Sequence, residues 1–170
     1  MRFVVGCNLE DFKSYYDTAL GRLDEVEEYW VSKNPSHLIV WEERGRIIGH
    51  AIWHETDTEE HRKGDLRDRE DREILQKLLG GKKSFIELHE IWLKEEYRGK
   101  GYGKMFFEYF EEFVRAKGYN QIVFYAYHPA AIAICRKRGY REAYGLRLAV
   151  HGGGVQTCFV FCLSLKAKKD

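Results

Sequence analysis

The segment that most restricts this chain is Tyr97-Arg98-Gly99-Lys100-Gly101-Tyr102-Gly103-Lys104. An apolar, strand-like run, Ser84–Leu93, precedes it. A helical pattern, Lys104–Lys117, follows it, with Met105, Phe106, Tyr109, Phe110, Phe113 and Val114 spaced for one face. Glycines at alternate positions let a backbone come close to a ligand and turn successive N–H groups towards it. The start of a helix adds free N–H groups and a partial positive charge. With Arg98, Lys100 and Lys104 alongside, the segment predicts a phosphate cradle on a strand-to-helix turn. The spacing is not the G-x-G-x-x-G of dinucleotide-binding folds, and no serine or threonine follows Lys104 as a P-loop requires. Both nucleotide readings are therefore disfavoured.

The rest of the chain supplies a scaffold of matching kind. A short strand is expected at Phe3–Val5, then helices over Glu10–Leu20 and Asp24–Ser32, stopping near Asn34-Pro35. His37–Trp41 and Arg46–His54 read as a hairpin turning at Glu43-Arg44-Gly45. From about residue 55 to 83 acids and bases crowd in nearly equal number, and only Leu66, Ile74, Leu75, Leu78 and Leu79 could pack. A surface helix over Asp68–Leu79, closed by Gly80-Gly81, is expected there. Gln121–Tyr127 reads as a buried strand. Pro129–Arg138 reads as a helix with proline first and Gly139 just past its end. Strands at Arg147–Val150 and Thr157–Leu165 flank a Gly152-Gly153-Gly154 turn. The 170 residues make one domain, 1–170, with a charged helical insert at about 55–83. Its class is α/β (α+β), with a mixed central sheet and helices on both faces.

A net charge of +1 removes the electrostatic case for nucleic acid, and no apolar run approaches a membrane span of roughly 20 residues. The cysteines Cys7, Cys135, Cys158 and Cys162 have no zinc-ribbon spacing, and Met1-Arg2-Phe3 leads into no apolar leader. Reduced thiols in a cytoplasmic protein are the expectation. Cys158 and Cys162 read as core. His50 and His54 on one strand, with His89 on another, could bind zinc, but partly buried histidines near a substrate site are the favoured reading, so no metal is expected.

Arg98, Gly101 and Gly103 match R-x-x-G-x-G, and on this the chain resembles the GNAT superfamily of acetyl-CoA-dependent N-acetyltransferases. Ala131, Ile132 and Gly139-Tyr140 are similar to its second signature, N-x-x-A-I-x-x-Y-x-x-x-G-F, and the hairpin with Arg46-Ile47-Ile48-Gly49 to its second and third strands. The resemblance spans His37 to Tyr140 apart from the insert. It implies a GNAT-like fold with a mostly antiparallel sheet, and acetyl-CoA as cosubstrate. The pyrophosphate would lie along Arg98, Gly99, Lys100, Gly101, Tyr102, Gly103 and Lys104. Pantetheine would lie along Ile91, Trp92 and Leu93, with His128 and Ala131 at the second signature. It implies transfer of the acetyl group to a primary amine of a small molecule or peptide; a non-catalytic acyl-CoA sensor is the alternative.

Deprotonating an amine of pKa about 10 needs a base. By distance from Arg98, Glu87 falls where histone-type members carry their glutamate, and it is favoured as the base slightly ahead of Glu90. His89 and Glu90 fall where polyamine-type members carry acids. Glu87 and His89 share a strand face and Glu90 takes the other, unless a bulge resets the alternation. His128 stands where the family has asparagine. Cys135 stands where it has the tyrosine that protonates the departing thiolate, so the acid is open, with Tyr127 or a water as the candidates. The insert reads as a solvated helix, with a lid or a homodimer contact as its functional reading.

Overall fold

The computed structural model describes residues 1–61, 63–64, 68–149 and 154–166. The expectations for Leu66, Val150 and the first two glycines of the Gly152–Gly154 turn fall outside these residues. In chain order the elements are β1 (Arg2–Val5), α1 (Leu9–Ala19), α2 (Glu25–Lys33), β2 (Leu38–Glu43), β3 (Arg46–Asp57), α3 (Asp68–Leu79), β4 (Ser84–Leu93), α4 (Tyr102–Ala116), β5 (Gln121–Ala126), α5 (Pro129–Lys137), β6 (Arg141–Ala149) and β7 (Val155–Ser164). The strands form one seven-stranded sheet in the order β1-β2-β3-β4-β5-β7-β6. The pairs β1/β2, β2/β3, β5/β7 and β6/β7 are antiparallel. Neighbours β4 and β5 are joined through α4, the helical crossover that a parallel pair needs, so the sheet is mixed and mostly antiparallel. No helix among the described residues is long and apolar enough to cross a membrane.

Two compact units divide the contacts. The first comprises Met1–His54 and Leu88–Gly103; the second comprises Glu55–Glu87, Lys104–Ala149 and the strand from Val155 onward. In the first, Asn8 caps α1 by accepting from the N–H groups of Glu10 and Asp11, and Asp24 caps α2 by accepting from Val26 N–H at 2.8 Å. Phe12 and Tyr16 of α1 and Val31 of α2 pack with Leu23, Leu38, Val40 and Ile52. Burying such side chains stabilises by about 1.5–3 kcal/mol each. The β2–β3 hairpin turns at Arg44 (φ 50°) and Gly45 (φ 75°), two consecutive left-handed residues that match the strand twist. Its register slips between Trp41 and Glu42, which leaves Ile48 as the extra residue of a β-bulge.

In the second unit α4 buries Phe106, Phe107, Phe110, Glu111 and Val114. That stripe is rotated from the expected one: Met105 is 47% exposed, and Tyr109 and Phe113 are half-buried. Phe107 takes a core place, with its ring 6.0 Å from Phe124, and Met105 turns outward. Helix α3 has the expected limits but is no mere surface helix. Leu75 and Asp71 are wholly buried and Leu79 nearly so, with the helix lying against β6 and β7.

Candidate active site

Within the first unit, β4 ends beside β3. Lys94 N–H donates to Ile48 O at 2.8 Å, and a Cβ on Gly49 would meet Trp92 O at 2.7 Å, so β3 approaches β4 at a distance only glycine permits. A short 3₁₀ turn, Glu95–Tyr97, then reverses the chain into the glycine segment. Gly99 (φ 72°) and Gly101 (φ 84°) are left-handed, which other residues rarely tolerate, and an added Cβ at either would meet no atom within 4 Å. Backbone conformation is therefore what demands glycine here. Arg98 folds back, its Nε donating to Leu93 O at 2.8 Å and its guanidinium lying 5.3 Å from the Trp92 ring centre. Lys100 Nζ donates to Glu96 O at 2.9 Å. Gly103 lies in the first turn of α4, which carries no acidic residue, so nothing there opposes an anion. Tyr102 packs edge-on to Trp41, with centroids 5.6 Å apart. Lys104, in the second unit, lies 3.6 Å from Glu108 and is mostly exposed.

Upstream on β4, still in the first unit, Glu90 is held at both oxygens. Oε1 meets His50 Nε2 in a short hydrogen bond, and Tyr16 O–H donates to Oε2 at 3.1 Å. Tyr15 O–H and His50 Nδ1 lie 3.1 Å apart, and the Trp92 ring stacks on His50. Burial, and then the charge of Glu90, hold the Tyr15 phenol well above its usual range. His89 Nε2 lies 2.6 Å from His54 Nδ1, and Trp30 stacks on His54 with centroids 3.7 Å apart. His50 and His54 stand four apart on β3 and so share a face, yet consecutive residues Glu90 and His89 reach one each. The strand alternation is thus broken at His89–Glu90, the reset that would bring Glu90 round.

Glu87 belongs to a different group, in the second unit. Its Oε2 lies 3.1 Å from His61 Nδ1, and His61 Nε2 lies 3.2 Å from Asp71 Oδ2 and 2.9 Å from Tyr125 Oη. Tyr125 O–H donates to Asp71 Oδ1. All four residues are buried. The Glu87 side chain is 4% exposed against 15% for Glu90. His61 and Asp71 come from the charged insert and carry no motif; the one signal was a histidine and an aspartate inside a segment otherwise read as solvated.

Tyr127, just past β5, is 37% exposed. His128 caps α5, its Nδ1 accepting from Ala130 N–H at 3.2 Å, and Ala131 is half-buried in the first turn. Cys135 is wholly buried; burial, and then the charge of Glu111, push its thiol up to about 12. Cys158 and Cys162 are buried free thiols.

The model of the Acetyltransferase (GNAT) family matches residues 7–140, a stretch that holds both β4 and the glycine loop. The chain belongs to the GNAT family. Solved structures similar to this GNAT chain include the Drosophila melanogaster polyamine N-acetyltransferase, at 14% identity and TM-score 0.70, covering 96% of this chain and 100% of that one. Arylalkylamine N-acetyltransferase 2 from Aedes aegypti is similar at 14% identity and TM-score 0.67, covering 97% and 99%. The ribosomal-protein-S18-alanine N-acetyltransferase from Escherichia coli is similar at 14% identity and TM-score 0.63, covering 99% and 96%. At these identities the likeness is one of fold. A comparison with curated proteins finds no match.

Proposed function

We propose that this GNAT chain is an acetyltransferase that moves the acetyl group of acetyl-CoA to a primary amine of a small molecule or peptide. The observation that carries the proposal is the left-handed glycine loop, Gly99 to Gly101, opening onto a helix start free of acids. Its N–H groups, with Arg98, Lys100 and Lys104, suit a pyrophosphate. The backbone of Ile91–Leu93 would run along pantetheine, and His128 and Ala131 are assigned to the cosubstrate through the second signature. Structural relatives named for amine substrates, among them polyamine and arylalkylamine acetyltransferases, support an amine acceptor. Four cysteines outside any disulfide suit a reducing, cytoplasmic setting.

Acetyl-CoA supplies the thioester. Glu90 takes the proton that the amine must lose, and Tyr16 and His50 fix both of its oxygens. We prefer Glu90 to Glu87 because its side chain is the more exposed. Tyr127 is assigned the proton donation to the departing thiolate, since a thiol pushed up to about 12 makes Cys135 a poor acid at neutral pH. The same sealed cysteine favours the second reading, a sensor that binds acyl-CoA without turnover. Incubation with acetyl-CoA and an amine panel separates the two: the enzyme releases one free thiol per acetylated amine, and the sensor releases none.

A further inference from the structure

Glu27 lies in the first turn of α2, three residues before Trp30 and so on the same helix face. Trp30 stacks flat on His54 of β3, which directs that face at the strands carrying His50 and Glu90. The Oε2 atom of Glu27 is shut off from solvent and meets no hydrogen-bond donor among the described residues, and the Asp24 carboxylate hydrogen-bonds the Glu27 carboxyl in its protonated form. The lysines of the two N-terminal helices are engaged elsewhere. Lys13 pairs with Glu28, and Lys33 lies over the rings of Tyr29 and Trp30 at 5.5 and 5.2 Å. A buried carboxyl oxygen without a donor costs stability, and a bound ligand is one way such a group is completed.

We propose that Glu27, together with Glu90, recognises the acceptor in its ammonium form, which makes the acceptor a basic alkylamine. This rests on the acetyltransferase reading above. An ammonium brings a positive charge and three N–H donors, one of which supplies what Glu27 Oε2 lacks. An aromatic amine or an alcohol, neutral at pH 7, brings no charge. Glu27 is then a specificity-determining residue and Glu90 the base.

Protonation supports the assignment. Burial, then the charge of Asp24 and more weakly that of Glu90, push the Glu27 carboxyl from the ordinary 4.5 up to about 8. Without the amine Glu27 therefore holds a proton at pH 7, and it gives the proton up as an ammonium docks. Amine affinity should rise from pH 6 to pH 8, and binding at pH 7 should release a fraction of a proton. Stability carries the opposite sign. The folded state binds a proton that the unfolded chain has lost between about 4.5 and 8, so the Glu27 contribution falls as pH rises through that window.

The test is calorimetric titration of butylamine into the CoA-saturated full chain at pH 7, in two buffers of different ionisation enthalpy. The wild type should release a fraction of a proton. Glu27→Gln should release none, bind butylamine at least tenfold more weakly, hold CoA as before and melt no lower at pH 8. Aniline should bind neither protein measurably. Proton release here, together with no thiol formed in a separate incubation with acetyl-CoA and butylamine, would sink the enzyme reading and leave this assignment standing. No butylamine binding, equal proton release in Glu27→Gln, or aniline bound as well as butylamine would overturn it.

Discussion

Glu87 and Glu90 lie three residues apart on β4 and have different partners. Glu87 is closed in against His61, and Glu90 sits half-buried between Tyr16 and His50. Glu90→Gln should lower kcat by about 10²–10⁴-fold while leaving CoA affinity unchanged, because only the proton acceptor is removed. Glu87→Gln should act on stability instead. It leaves the buried His61 without one of its two carboxylates, a loss on the order of 3–5 kcal/mol in urea unfolding. A rate loss at full stability in Glu87→Gln would reverse the two roles. From sequence, distance from Arg98 and strand alternation place Glu87 slightly ahead of Glu90 as the base, and the break at His89–Glu90 overrides the alternation. The partners that decide between them, His61 and Asp71, come from a segment whose composition reads as solvent-facing. A third residue-scale expectation concerns the acid: Cys135→Ala should keep most activity, and Tyr127→Phe should lose roughly tenfold or more.

Among the elements, β6 starts at Arg141, six residues before the expected strand at Arg147, and α3 differs in its burial. Its limits were legible, since a charged amphipathic run closed by Gly80 and Gly81 matches Asp68–Leu79. Its burial was not, because a handful of leucines among so many charges gives no sign of which element they will meet. With Leu75 wholly buried, Leu75→Ala should cost about 2–5 kcal/mol, measurable as a lower unfolding midpoint. A change below about 0.5 kcal/mol would return α3 to the surface. The loop from Gly99 to Gly103 was legible because its chemistry is backbone chemistry: left-handed positions require glycine whatever surrounds them. Gly101→Val puts a β-branched residue at φ 84° and should abolish the stabilisation by CoA while the fold persists. A full thermal shift in a folded Gly101→Val protein would remove the loop from the binding site. The buried face of α4 is rotated by one position from the expected one because Phe107 and Met105 are both apolar, and only packing chooses between them.

At the scale of the whole molecule, strand order and family follow from features spread along the chain, the two signatures and the hairpin before them, so local errors of face leave them intact. The acceptor is written in fewer residues, on the helices and strands where the sequence carries no shared motif. The most direct measurement is a paired assay of free thiol and acetylated product, with acetyl-CoA and butylamine at pH 8. The account predicts one thiol per molecule of N-acetylbutylamine, at a rate that Glu90→Gln lowers at least a hundredfold. Saturable CoA binding with no thiol above the uncatalysed background would contradict it.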